Sequence, residues 1–89
     1  MKIKEGFILR TICGEHIVVG EGLAQVNFNK MLSMNESAAY LWKQIEGKSF
    51  TREDLVQYLL DQYEVTAEKA AEDVEKLVAT WVREGVVEE

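Results

Sequence analysis

Lys30-Met-Leu-Ser-Met34 reads as a short strand that runs directly into a helix beginning within Asn35-Glu-Ser-Ala-Ala39, and the other elements are arranged around this junction. Asn35 is a favourable N-cap, because its side-chain oxygen can accept from the free N–H groups of a first helical turn. Glu36 places a negative charge at the positive end of the helix dipole. At the edge of a sheet, the strand would present unpaired backbone groups beside adaptable thioether side chains. The junction therefore predicts an edge at which another peptide can dock.

Three amphipathic helices are predicted from this junction onward. Apolar residues recur at helical spacing over residues 36–46, 52–63 and 67–84. Thr51 and Asp54 form a capping-box pattern at the start of the second helix. The pattern indicates that each helix buries one face, and Trp42 and Trp81 are predicted core residues on two of these faces.

Gly85 is predicted to end the third helix in a Schellman motif, with Val86 folding back on Trp81. The pair Val86 and Val87 could add a final short strand.

Strands are predicted before the junction. Residues 7–13 and 16–19 are β-rich, and Gly14 and Glu15 between them suit a type II′ turn with glycine first. Residues 1–6 read as a polar lead-in. The run 23–28 is ambiguous, and an extra short strand or hairpin could precede residue 30.

This order predicts an α+β fold of winged helix-turn-helix type, in which an N-terminal antiparallel sheet of three to four strands precedes three helices. The 89 residues allow a single domain, 1–89, with a modest core, and the hydrophobic content of 47% is that of a globular chain. No apolar run approaches the roughly 20 residues that span a bilayer, and no signal-peptide-like segment follows the N-terminus. We therefore expect a cytoplasmic protein.

The charge argues against several classes of partner. The net charge is −6, and the ten Lys and Arg residues are scattered without a run of three. Nucleic-acid binders usually carry a basic patch that neutralises phosphates. DNA, RNA and anionic membranes are therefore disfavoured and a neutral or basic partner is favoured, although an acidic surface kept for solubility has the same composition.

Cys13 and His16 flank the predicted two-residue turn and are expected to face each other across the hairpin. A Cys–His pair can generate a thiolate nucleophile, but no orienting carboxylate or oxyanion hole accompanies this pair in the sequence. One Cys and one His are too few for a zinc site. We therefore expect no catalytic residues, no metal and no cofactor.

The segment Met34-Asn-Glu-Ser-Ala38 resembles the PqqD family, small proteins named for pyrroloquinoline quinone biosynthesis whose fold is also called the RiPP recognition element. Family members have an apolar strand and then Leu-Asn-Glu-Ser/Thr-Ala before their first helix. The third helix is similar to the family's tail, Asp-Val-x-x-Phe-Leu-x-x-Leu and then Gly-Leu, at Asp73, Val74, Leu77, Val78, Trp81, Gly85, Val86 and Val87. The resemblance covers most of residues 7–87.

The resemblance implies a non-catalytic peptide chaperone. Such proteins bind the leader of a ribosomally made precursor peptide and present its core to a modifying enzyme, often a radical S-adenosylmethionine (SAM) enzyme. The leader adds as a strand to the sheet edge and packs beside the third helix, which agrees with the predicted docking edge. Carried over by position, the peptide-binding residues are Lys30, Met31, Leu32, Ser33 and Met34 on the edge, with some of Val74, Leu77, Val78, Trp81 and Val82 in the groove. Nothing in the chain singles out the pyrroloquinoline quinone precursor as the cognate peptide.

If the N–H of Leu32 points away from the sheet, the substitution Leu32→Pro is expected to abolish peptide binding and keep the fold, because proline removes a donor from the docking edge.

Two other functions fit parts of the sequence. The main alternative is a winged-helix nucleic-acid-binding regulator, although the third helix carries more acidic than basic residues. A small enzyme using Cys13 and His16 is the third reading. An exposed sheet edge also permits a homodimer by self-pairing.

Overall fold

The computed structural model describes residues 1–22 and 31–89. In chain order its elements are β1 (Lys2–Ile3), β2 (Phe7–Ile12), β3 (Glu15–Gly20), β4 (Leu32–Met34), α1 (Glu36–Ile45), α2 (Arg52–Gln62), α3 (Ala67–Arg83) and β5 (Val87–Glu88). Strands β2, β3 and β4 form an antiparallel sheet in that spatial order, and β1 pairs antiparallel with β5. The predicted antiparallel sheet followed by three helices is confirmed.

The helices begin at the side chains that the sequence indicated. Asn35 Oδ1 accepts from the N–H of Ala38 at 2.8 Å and caps α1. At the start of α2, the Thr51 hydroxyl accepts from the Asp54 N–H while the Asp54 carboxylate accepts from the Thr51 N–H, which completes the capping box. Such a cap satisfies N–H groups that the helix itself leaves without partners.

The C-terminus of α3 closes in the predicted Schellman motif. Gly85 has a φ of 78° and donates its N–H to the Val82 carbonyl at 3.0 Å, and Val86 donates to the Trp81 carbonyl at 3.1 Å. Glycine is favoured at this position because it adopts a positive φ without steric penalty. The motif turns the chain back, so that β5 lies beside β1.

The core lies between the three helices and the inner face of the sheet. Trp42 and Trp81, predicted as core residues, are 0% and 1% exposed, and their rings meet edge to face with centroids 5.4 Å apart. This arrangement is the one that aromatic quadrupoles favour. The buried residues of the sheet in this cluster are Val18 and Met34.

The N-terminal segment takes part in a strand pair. Residues 1–6 are not simply a polar lead-in, because Lys2 and Ile3 pair with Glu88 and Val87. The pairing partner lies at the other end of the chain, so local sequence gave no sign of it. The ambiguous run 23–28 and Lys30 lie outside the described residues.

The hairpin between β2 and β3 forms, but its turn is one residue earlier than predicted. Ile12 pairs with Glu15, which leaves Cys13 and Gly14 as the loop. Their φ values are 53° and 79°, and positive φ at both central residues is the signature of a type I′ turn. His16 consequently pairs with Thr11. The predicted type II′ turn and the predicted facing of Cys13 and His16 are therefore wrong.

Cys13 occupies a backbone conformation that asparagine adopts more readily. We expect Cys13→Asn to raise the free energy of unfolding by about 0.5–1 kcal/mol, because Asn-Gly is a favoured type I′ pair and a left-handed conformation costs most other residues about 1–2 kcal/mol. Urea denaturation measures this difference. Cys13→Val is the matched comparison and should be less stable than the original protein, since a β-branched residue resists positive φ. Equal stability of the Asn and Val variants would contradict this explanation of the turn.

Candidate functional site

Strand β4 is an edge of the three-stranded sheet. On one side it pairs with β3, with His16 opposite Met34, Ile17 opposite Ser33, and Val18 opposite Leu32. On its other side, no strand among residues 1–22 and 31–89 pairs with it. This edge is the surface that the sequence predicted for docking.

The register decides which backbone groups of β4 face outward. Residues that flank a two-residue hairpin loop exchange both hydrogen bonds, and bonded and non-bonded pairs then alternate along the ladder. Ile12 and Glu15 flank the loop, and the Glu21 N–H donates to the Gly6 carbonyl at 2.7 Å, which fits the same alternation at the far end of the hairpin. His16 and Val18 therefore direct their N–H and C=O groups toward β4.

The partners of His16 and Val18 in β4 are Met34 and Leu32, so these two residues use their backbone groups inside the sheet. Ser33, which lies between them, directs its N–H and C=O to the unpaired edge. The condition behind the Leu32→Pro test is therefore wrong. Proline at Leu32 would remove a hydrogen bond to β3, whereas proline at Ser33 would remove a donor from the free edge.

The side chains of β4 alternate as a strand requires. Met34 is buried and Leu32 is half-buried against the core, while Ser33 is exposed and Met31, just before the strand, is 66% exposed. The thioether of Met34 thus serves the core, and that of Met31 is available on the surface. An added strand would place alternate side chains on the same two faces.

An open groove of about 660 Å³ begins where β4 ends. It lies between the first turn of α1, the end of α2 and the middle of α3. Apolar and polar side chains both line the groove, and the lining comprises Asn35, Glu36, Ser37, Ala38, Leu41, Leu59, Tyr63, Val65, Asp73, Lys76, Leu77 and Thr80. A chain leaving the edge of β4 in the direction of Asn35 would enter this groove.

The structure separates the residues predicted from α3. Leu77 is half-buried and lines the groove. Val74, Val78 and Trp81 are 1%, 0% and 1% exposed and belong to the core. Val82 is half-buried against the core and lies outside the groove lining. Of the predicted α3 residues, Leu77 alone has a direct place in the groove.

The sequence analysis did not predict the polar residues of α3 that line the groove. Asp73, Lys76 and Thr80 line the groove with Leu77, and their spacing of three and four residues is that of one helix face. This face lies next to the buried face of α3. A mixture of polar and apolar residues beside the buried face was the sequence feature that could have indicated a groove there. The contributions of Leu59, Tyr63 and Val65 depend on how α2 packs and had no local signal.

The charges on α3 are largely paired within the helix. Lys69 Nζ lies 3.2 Å from Asp73 Oδ1, and Lys76 Nζ lies 3.2 Å from Glu72 Oε1. The hydrogen bond to Asp73 raises the pKa of Lys69. Exposed pairs of this kind stabilise a helix only slightly. They nevertheless give Asp73 and Lys76, the two charged residues of α3 that line the groove, partners of opposite charge on the same helix.

A different polar chain joins the sheet to the start of α1. His16 Nδ1 lies 2.9 Å from Thr11 Oγ1, and His16 Nε2 lies 3.2 Å from Glu36 Oε1. The side chain of His16 is 14% exposed. These contacts place His16 in a structural link, not beside Cys13 as the sequence reading required for nucleophile activation.

The described residues contain no cluster of three or more His, Cys, Asp or Glu side chains that could hold a metal ion. None of the helices in the described part of the chain is both long and apolar enough to cross a membrane. The unpaired edge of β4 and the adjoining groove form the candidate site.

A known protein family matches most of this chain. The family model described as "Coenzyme PQQ synthesis protein D (PqqD)" matches residues 15–87. The chain belongs to the PqqD family. The family resemblance seen in the junction and in α3 is thus confirmed. No curated protein sequence matches this PqqD-family chain.

The fold of this PqqD-family protein is similar to a solved structure described as "TbiB1 in Complex with the TbiA(beta) Leader Peptide". The TM-score is 0.79 at 15% sequence identity, and the match covers 99% of this chain and 95% of the other. This likeness confirms the predicted fold, including the N-terminal hairpin strand that precedes the family-model match.

Proposed function

We propose that this protein is a non-catalytic, single-domain peptide chaperone that binds the leader of a ribosomally made precursor peptide. The leader would add as a strand to the free edge of β4 and continue into the groove beside α3. One observation carries the proposal: the backbone of Ser33 faces outward on the edge strand, and a partly apolar groove begins where that strand ends. Membership in the PqqD family and the fold shared with a leader-peptide complex support it.

The two parts of this surface would do different work. Main-chain hydrogen bonds to the β4 edge supply affinity that is largely independent of sequence, and pockets for alternate side chains supply specificity. Leu77 lies where a side chain of the bound peptide can be buried, together with Leu41 and Leu59. We propose that a large apolar residue of the leader is the main anchor, since a few buried anchors dominate most peptide interfaces.

The protein would then hold the leader while a modifying enzyme acts on the core of the same peptide. We propose a radical SAM enzyme as this partner, on the basis of the family resemblance. Binding the leader and not the core leaves the modified residues free. The protein itself needs no catalytic group for this role.

Replacing Leu77 with lysine tests the groove. We expect Leu77→Lys to weaken binding of a leader peptide at least about tenfold, because burying an apolar side chain is worth about 1.5–3 kcal/mol and tenfold corresponds to 1.4 kcal/mol. Fluorescence polarisation with labelled synthetic peptides, tiled along short reading frames encoded beside the gene, measures this change.

Ala79→Lys is the matched control for Leu77→Lys. Ala79 is exposed on the same helix and does not line the groove, so the same added charge should change affinity less than about twofold, as expected for an exposed charge outside the contact. Equal affinities of the two variants would contradict the assignment of the groove. Failure of every tiled peptide to bind the unaltered protein would contradict leader binding itself.

A further inference from the structure

Glu36 stands at the point where the edge of β4 meets the groove. It is the first residue of α1, and its side chain is 84% exposed. It lines the groove beside α3 and also a smaller adjoining cavity of about 330 Å³, which Ser33 and Met34 of the edge strand share. A peptide that passes from the edge into the groove must therefore pass this carboxylate.

One contact joins the Glu36 side chain to the sheet. Its carboxylate contacts His16 Nε2 at 3.2 Å, and the other ring nitrogen of His16 lies 2.9 Å from Thr11 Oγ1. A histidine neutralises a carboxylate only when its ring is protonated. The first turn of a helix also favours negative charge, because the helix dipole is positive there.

The other charged groups of the groove already have partners on α3. Asp73 is paired with Lys69, and Lys76 is paired with Glu72. Among the described residues, His16 is the only basic side chain within ion-pair distance of Glu36. A cation of a bound peptide would have to displace Lys69 to pair with Asp73. It could pair with Glu36, which lies where the edge of β4 meets the groove, without displacing a lysine.

Given the peptide-binding function proposed above, we infer that Glu36 is a specificity-determining residue that selects a lysine or arginine in the bound peptide, at the point where the peptide leaves β4 and enters the groove. A charge-assisted hydrogen bond from Lys or Arg to a carboxylate is stronger than a neutral one. The net charge of −6 also favours a cationic ligand. The apolar anchor in the groove and the basic residue at its mouth would lie at one fixed spacing in the peptide.

Selection from a random library tests this inference without knowledge of the natural peptide. A library of random 12-residue peptides displayed on phage is selected separately against the unaltered protein, Glu36→Gln and Glu36→Lys. We expect the first pool to be enriched at most about fivefold in Lys or Arg at one spacing from an apolar residue, which is the upper limit for an exposed ion pair. The Gln pool should lose this bias, and the Lys pool should favour Asp or Glu at the same place.

Glu53→Gln is the matched control. Glu53 is an exposed carboxylate in the first turn of α2, and it lines neither the groove nor the small adjoining cavity. Its neutralisation changes the net charge by the same amount as Glu36→Gln, so the pool selected on Glu53→Gln should keep the Lys or Arg bias. Loss of the bias in both pools would mean that total charge, and not Glu36, selects the peptide.

The outcomes separate this inference from the proposed function. In one outcome, the selected peptides bind the unaltered protein but not Ser33→Pro, and all pools show the same charge preference. This outcome would overturn the role of Glu36 and leave strand addition intact. Selected peptides that bind Ser33→Pro as well as the unaltered protein would overturn strand addition and this inference with it. A selection that enriches no peptide would also overturn both strand addition and the role of Glu36.

Discussion

Replacing Ser33 with proline is expected to weaken leader-peptide binding at least about tenfold while the fold is kept. Proline removes the N–H that Ser33 directs to the free edge, and its ring occupies the space where the added strand would lie. One net hydrogen bond is worth about 0.5–1.5 kcal/mol, and the steric block adds to that loss. Fluorescence polarisation measures the affinity, and circular dichroism and thermal unfolding measure the fold.

The fold should survive because the register leaves the Ser33 N–H outside the β3–β4 ladder. Edge strands accept proline where the N–H faces solvent. Two controls accompany the test. Ser33→Ala retains the N–H and should bind like the unaltered protein. Leu32→Pro removes a bond to Val18 within the sheet and should lower the thermal stability more than Ser33→Pro. Unchanged binding by Ser33→Pro would contradict strand addition at β4.

Replacing Trp42 with alanine is expected to give the largest loss of stability, about 3–5 kcal/mol, since deleting a buried Trp removes both transfer energy and packing. Trp42 is 0% exposed and meets Trp81 edge to face at 5.4 Å between ring centroids. Small domains have only about 5–15 kcal/mol in total, so much of the protein should be unfolded at moderate urea concentration. Equilibrium urea denaturation measures the loss.

Trp42→Phe is the informative comparison. Trp42 Nε1 is buried and finds no hydrogen-bond partner among the described residues, and such a donor carries a desolvation penalty of about 1–3 kcal/mol. Phenylalanine keeps an aromatic ring against Trp81 and removes that donor. We therefore expect the Phe variant to retain most of the stability that the Ala variant loses. Equal losses in the two variants would contradict the importance of the ring contact.

The helices could be predicted because their signals are local. Thr51 and Asp54 lie three residues apart, and their side chains act on backbone groups within the same turn. Gly85 and Val86 likewise close α3 through bonds to Val82 and Trp81, a few residues away. Signals of this range are present in any short window of sequence.

The sequence-based predictions were wrong where the backbone conformation depends on residues distant in the chain or on the exact register of a hairpin. The sequence predicts Gly14 as the first residue of the turn because glycine favours that site, but the turn starts at Cys13, which accepts a positive φ. The outward direction of Ser33 follows from that register and propagates across β3 to β4. A shift of one residue in the hairpin would have reversed every backbone group along the edge.

The sequence indicated the elements that form the candidate site, but not which of their side chains line the groove. The resemblance to the PqqD family pointed to the edge strand and α3, and Leu77 does line the groove. Adjacent helix positions differ by about 100° around the axis, so Leu77 and Val78 look alike in the sequence but face the groove and the core respectively. Only the packing of α1 and α2 against α3 separates them.

An NMR titration tests most directly whether a leader peptide adds to β4 and enters the groove. The ¹⁵N-labelled protein is titrated with synthetic leader peptides encoded beside its gene, and amide shifts are followed at each residue. Strand addition predicts shifts clustered at residues 31–36 and along 73–80, with slowed solvent exchange of the Ser33 amide. Shifts that avoid β4, or shifts produced by duplex DNA and by none of the peptides, would contradict it.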